Sequence, residues 1–420
     1  MHVRVCGSPP PTAQRVPFCS LPPGVRSLIA GGFQAGRSPD VLTVSAGAEI
    51  AGSSADASGT PAVPWISLTG PAAARVPLVF AGPGIAHAAV DPGTGLDTVA
   101  PTVARILGVR RPAPPSHASR SGAESASVAS TTPPRLVLLL AWEGVGSRDL
   151  RSDPERWPFL DSLVRTGAAT LDAETGSLPL DPAAVLTTIG TGARPSQHGI
   201  TGTALRSTFT GAIQRAGAAD APPAELPTLA QDLVRQDRSA LVALVEPSPV
   251  DVGLVGAEYY IGLPLPTVRV TPPGHAVAAA SALLEAGMGA DETSDVPAVV
   301  LRGPVSALDR GTRRLVALAD RASGSRFVTV VAGTGWATTS GGAMPAGNVG
   351  AALERRLPAS TEIVEEVTPG GIFLRRHASS SGVTSHDLTD ALLRLPAPGG
   401  RRLMADAFPS FAVSLERYCS

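Results

Sequence analysis

"PPRLVLLLAWEGVGSRDL", residues 133–150, is the stretch on which the fold turns. Its apolar run, Leu136–Leu140, is continuous rather than alternating, as a strand buried on both faces of a parallel sheet must be. The run ends in Ala141-Trp142-Glu143-Gly144, so a carboxylate follows the strand directly. Open α/β sheets bind ligands at the carboxyl ends of their strands, which makes Glu143 a candidate site residue or the remnant of one.

The segments around it alternate in type. Strands are expected at 40–50 (DVLTVSAGAEI), 75–85 (RVPLVFAGPGI), 135–141, 239–246, 297–302 and 326–333. Helices are expected at 96–109, 153–168, 181–192, 226–236, 275–286 and 305–322. Such alternation predicts a mostly parallel sheet with helices on both faces, a three-layer α/β sandwich. The stretch 112–134, PAPPSHASRSGAESASVASTTPP, has the composition of a linker. We divide the chain into a disordered or loop segment (1–39), a first αβ segment (40–112), the linker (113–134), a core (135–346) and a small C-terminal α+β subdomain (347–420), closing in a strand FAVSLERYC.

Composition narrows the function classes. The 420 residues contain no lysine, so all 34 basic residues are arginine, and the formal net charge is −1. No basic stripe or motif suits nucleic acid. No stretch approaches the roughly 20 apolar residues of a membrane span, and the N-terminus lacks the apolar stretch of a signal peptide. The expectation is therefore a cytoplasmic protein with no nucleic-acid or membrane partner. Three cysteines (Cys6, Cys19, Cys419) are too few for a disulfide framework. Cys6 and Cys19 either pair or stay reduced.

Several phrases together resemble the alkaline phosphatase superfamily, in particular its type I phosphodiesterase/nucleotide pyrophosphatase branch. WPFLDSLVRTGA (157–168) is similar to the family's tPnLdxLxxxGa helix, and GTGARPSQHGITG (190–202) to its TGxxPxxHGI turn. VPLVFAGPGI (76–85) and LDTVAPTVARILGVRRP (96–112) are similar to its closing segments, vPlxfxGPGi and DiaPTixxlLGixxP. Here those closing segments come before the opening strand. A circular permutation is the favoured explanation, and a tandem remnant the other.

The resemblance implies two divalent metals, such as zinc or manganese, held by Asp and His, and a Thr or Ser nucleophile. The residues at those positions are different. Glu143 stands where the first metal-binding Asp is expected, and Asp181 or Pro182 where the nucleophile is expected. Gly333 and Thr334 replace the SDHG pair, and the only histidine inside a family motif is His198, where a loop-shaping role is expected. Ser177, Thr187 and Thr188 are the nearest hydroxyls to the nucleophile position. No retained metal or other cofactor is therefore expected, and Glu143 is either a remnant, solvated, or paired with an arginine such as Arg148 or Arg194.

Three further residues are candidates for a cleft. Tyr259 and Tyr260 lie in VGLVGAEYYIG, and Thr334 opens the Gly/Thr-rich stretch 333–342; simple packing and a flexible loop are the respective alternatives. The sequence thus reads as a catalytically degenerate pseudoenzyme with a binding or regulatory role, its partner a protein or a small phosphorylated ligand. The alternative is a metal-dependent phosphoester hydrolase, acting on diesters or monoesters, with a rearranged site built on Glu143 and Asp181.

Overall fold

The computed structural model describes residues 17–45, 49–51, 74–111, 132–218, 221–237, 239–246, 248–256, 267–270, 275–335, 342–344, 346–357, 362–368, 370–376, 378, 382–396 and 403–419. Helix α1 (Pro23–Gly31) leads to strands β1 (Val41–Ser45) and β2 (Glu49–Ala51). Strands β3 (Arg75–Ala81) and β4 (Ala88–Ala89) precede α2 (Val99–Leu107) and β5 (Leu136–Trp142). Next come α3 (Ser147–Ser152), α4 (Pro158–Thr166), β6 (Ala168–Glu174), α5 (Pro182–Thr191) and α6 (Pro195–His198). A hairpin, β7 (Ala204–Arg206) and β8 (Ile213–Arg215), is followed by α7 (Leu229–Gln236), β9 (Val242–Glu246) and β10 (Thr267–Val270). Then α8 (Ala276–Glu285), β11 (Val296–Leu301), α9 (Val305–Ser323), β12 (Phe327–Gly333) and β13 (Gly342–Met344) complete the middle of the chain. The last elements are α10 (Ala346–Glu354), β14 (Val364–Thr368), β15 (Gly371–Leu374), α11 (Ser385–Leu393), β16 (Met404–Pro409) and α12 (Ser410–Ser414).

The large sheet runs β10-β9-β11-β5-β12-β3-β6-β4. Strands β10, β9, β11, β5 and β12 pair in parallel, and β3 alone is antiparallel to both its neighbours. All seven residues of β5 are buried, as its unbroken apolar run requires. Alternation divides them between two cores. Val137, Leu139 and Ala141 pack with α2, α5 and α7, whereas Leu136, Leu138, Leu140 and Trp142 pack with α4, α8 and α9. The α/β class and the mostly parallel central sheet are as the sequence implies. Strand β3 lies in the same sheet as β5, one strand removed, so residues 75–81 are not an independent fragment.

Both chain ends differ from expectation. Residues 17–38 are not a loose segment: α1 presents Val25, Leu28 and Ile29, spaced i, i+3, i+4, to a cluster with Leu178, Leu180, Phe408 and Val413. Two prolines before this turn-like stretch (Pro22, Pro23) hide the helix, although proline at a helix start is well tolerated. Strand β1 does not join the large sheet. It pairs antiparallel between β15 and β16, so the four-stranded sheet β14-β15-β1-β16 of the C-terminal region is completed from residues 41–45. Residues 411–419 are helical rather than extended, in α12 and a 3₁₀ turn at Glu416–Tyr418. Cys19 bonds to Cys419, not to Cys6, with Cα atoms 5.1 Å apart; Cys6 lies outside the described residues. No helix among the described residues is long and apolar enough to cross a membrane.

Candidate functional site

Parallel strands deliver their following residues to one edge, and here that edge collects charge. Leu301 of β11 is in register with Trp142 of β5, so Arg302 and Glu143 emerge side by side. The Glu143 amide donates to Leu301 O at 3.0 Å, holding the two strand ends together. The Arg302 guanidinium contacts Glu143 Oε2 through Nη2. The same nitrogen donates to Asp251 Oδ1 and Oδ2 at 2.8 and 2.7 Å. Asp251 comes from the 3₁₀ turn Pro249–Leu254 after β9, and its side chain is 0% exposed, against 23% for Arg302 and 20% for Glu143.

Burial raises the Glu143 pKa above the ordinary value; Arg302 opposes this, while Asp251 and Asp181 add to it. For Arg302 burial works downward, but the Glu143 and Asp251 carboxylates outweigh it and hold the guanidinium above its ordinary value. One cation is thus shared by two acids, with a third acid close enough to be felt.

That third acid, Asp181, caps α5. Its Oδ1 accepts from the Ala183 amide at 2.9 Å and from Thr203 Oγ1 at 3.0 Å, and its Oδ2 accepts from the Thr203 amide at 2.8 Å. Burial raises its pKa, partly offset by these donors. Pro182 occupies the first helical position, so the start of α5 supplies an acceptor-rich cap and no hydroxyl of its own; the one bonded to it, Thr203 Oγ1, comes from another loop and is engaged by Asp181. The nearby hydroxyls are engaged or enclosed. Thr187 Oγ1 donates to Ala183 O and Thr188 Oγ1 to Ala184 O, while Ser177 is 1% exposed.

A neutral centre lies farther along the same helix. The His198 Nδ1 accepts from the Ile200 amide at 3.1 Å, which leaves Nε2 to carry the proton and donate to Thr188 Oγ1 at 3.2 Å. Full burial lowers the His198 pKa to about 3. It shapes the turn after α6 and is uncharged at neutral pH.

Thr334 is part of the strand-end frame rather than a cleft wall. Its Oγ1 accepts from the Gly144 amide at 3.0 Å and its own amide donates to Trp142 O at 3.2 Å, with 6% exposure. Tyr259 and Tyr260 lie outside the described residues. The structure therefore brings Glu143, Asp181 and Thr334 to one edge. The arginine partner of Glu143 is Arg302, not Arg148 or Arg194; the latter faces Asp97 at 3.6 Å.

Asp251 and Arg302 escape a reading of the sequence by motifs. Arg302 had one available signal: like Glu143, it follows directly on a fully buried apolar strand.

The donor set does not fit the two divalent metals that the sequence resemblance implies. Glu143 and Asp251 are engaged by a guanidinium, and both oxygens of Asp181 are taken by protein donors. Among the described residues, no group of three or more His, Cys, Asp or Glu stands together in a way that could hold a metal ion. His87 faces Gly167 O and His386 pairs with Asp390, both away from this edge.

No family model matches the sequence, and neither does any curated protein. Among solved structures, the chain is similar to a mutant of alkaline phosphatase PafA at 13% identity and a TM-score of 0.47, covering 66% of this chain and 84% of that one. It is also similar to phosphonoacetate hydrolase from Sinorhizobium meliloti 1021 in complex with phosphonoacetate, at 16% identity and a TM-score of 0.27, covering 44% and 54%. Likeness at these values describes shape over part of the chain and bears on no chemistry.

Proposed function

We propose that this chain is a catalytically degenerate protein of the alkaline phosphatase superfamily, of the type I phosphodiesterase/nucleotide pyrophosphatase branch, with a binding or regulatory role. One observation carries the reading: at the sheet edge, Glu143 and Asp251 are both spent on Arg302. A two-metal phosphoryl transfer site needs free carboxylates that converge on cations and a nucleophile in line with them. Here a side-chain cation fills the acidic cluster, and Asp181-Pro182 begins the helix where the nucleophile would stand. A circularly permuted order fits β3 hydrogen-bonding inside the large sheet while preceding β5 in sequence. The partner in this reading is a protein or a small phosphorylated ligand.

Hydrolysis of a chromogenic phosphodiester and a monoester, with zinc, manganese or no added metal, tests the proposal. Turnover at the level of buffer alone is the expected result. The second reading, a metal-dependent hydrolase with a rearranged site, draws on the closeness of Asp181 to Glu143. It requires metal-dependent turnover that disappears in Glu143→Ala and Asp181→Ala.

A further inference from the structure

The N-terminal segment crosses the molecule as a strap whose two ends do different things. At one end, Cys19 sits in the turn Phe18–Ser20 and is bonded to Cys419 beyond the turn Glu416–Tyr418. Phe18 packs edge-on against Phe408, their ring centroids 5.4 Å apart. At the other end the strap touches the two loops that hold Asp181. Leu28 O accepts from the Leu178 amide at 3.0 Å, three residues before Asp181. Gly31 lies so close to Gly176 O that a Cβ there would stand 2.5 Å from it, so only glycine fits this approach. Farther on, Arg37 donates to Gly199 O at 3.3 Å and Pro223 O at 3.0 Å, and its own carbonyl accepts from the Arg206 amide at 2.9 Å. Residues 199–206 include Thr203, which donates twice to Asp181.

Cys19 is exposed and Cys419 half-buried, so the bond is open to thiols in solution. Exposed disulfides are the labile ones, and disulfides persist in oxidising compartments while being rare in the cytosol. We propose that Cys19–Cys419 is a redox-sensitive clasp: closed, in an oxidising compartment, it fastens the strap that supports the Asp181 loops; opened by a dithiol, it lets the strap and those loops loosen together. In opening, the dithiol attacks one sulfur, then closes to its own cyclic disulfide. Two electrons and two protons pass to Cys19 and Cys419, which leave as thiols. The proposal is independent of whether the edge turns over any substrate.

The test is hydrogen exchange on the folded protein, read by mass spectrometry, before and after dithiothreitol. Thiol titration of the unreduced, denatured chain should find one free thiol, Cys6, and three after reduction. Reduction should speed exchange about tenfold or more in 23–33 and 176–181, leaving 136–142 and 327–333 protected. Cys19→Ser should show the fast pattern without reductant and no further response to it; should that variant fail to fold, the reduced wild-type protein carries the comparison. Three free thiols in the unreduced chain would overturn the proposal. So would unchanged exchange at 176–181 after reduction, since the strap would then be held by its apolar contacts alone.

Discussion

Helix α5 has a buried polar centre near each end, and the two are handled in opposite ways. Near its start, Glu143, Asp181, Asp251 and Arg302 bring four ionisable groups together. Toward its end, His198 and Thr188 form a fully buried pair with no charge. The first centre is held by Coulomb attraction against burial, the second by giving up its charge to burial. Either device satisfies a buried polar group, but only the first leaves a charge that a change in one residue would strand.

Asp251→Ala should have the largest effect, because it leaves a half-buried guanidinium with Glu143 alone. Breaking a buried pair from one side typically costs about 3–5 kcal/mol. Urea unfolding should show a loss of that size, and a loss under about 1 kcal/mol would put the two centres on an equal footing.

The His198 centre should reveal itself through pH. Its folded pKa, near 3, lies below the ordinary 6.5, so the unfolded chain binds the extra proton between those values. Stability from this group is fully present above pH 6.5 and is lost as pH falls toward 3, on the order of 4 kcal/mol over the window. His198→Gln should flatten that slope relative to wild type in unfolding curves taken from pH 7 to pH 4. An unchanged slope would mean that the histidine is not held neutral.

Asp181 separates capping from ionisation. Asp181→Ala should cost about 1–2 kcal/mol through loss of the cap. Asp181→Asn keeps an acceptor for the Ala183 amide. Because burial raises the Asp181 pKa, the folded state holds its proton above the ordinary 3.8, and stability falls as pH rises through that interval. The Nδ2 that Asp181→Asn introduces, however, would face the Thr203 amide that Oδ2 now accepts, so thermal melts at pH 8 should place Asp181→Asn below wild type. The smallest effect is expected for Glu143→Gln, about 0–1 kcal/mol, since its partner keeps Asp251 and the pair is part-exposed.

The large sheet was legible because its signals are local. Leu136–Trp142 and Val296–Leu301 are apolar throughout and Phe327–Gly333 is so but for Thr329, and burial on two faces accounts for such runs. Strand β6 was missed because Ala168–Glu174 mixes small, polar and acidic residues at the sheet's weakly apolar side. The destination of β1 was illegible for a different reason: VLTVS suits either sheet, and its partners, Gly371–Leu374 and Met404–Pro409, lie more than 300 positions away. The site divides in the same manner. Glu143 and Asp181 were found through motif positions, whereas Asp251 and Arg302 become partners only when β9, β11 and β5 lie next to one another.

The bond between Cys19 and Cys419 makes nearly the whole chain a covalent ring, 400 positions around. A protease that cuts once anywhere between those cysteines, for instance in the Pro/Ser/Ala-rich stretch 113–134, would open the ring without releasing a fragment. On a non-reducing gel the nicked molecule would still migrate as one species of 42.5 kDa composition, and would part into two only when the bond is reduced. Nicking and reduction, each harmless to chain integrity by itself, would together divide the large sheet between two polypeptides, with β3 on one and β5 on the other.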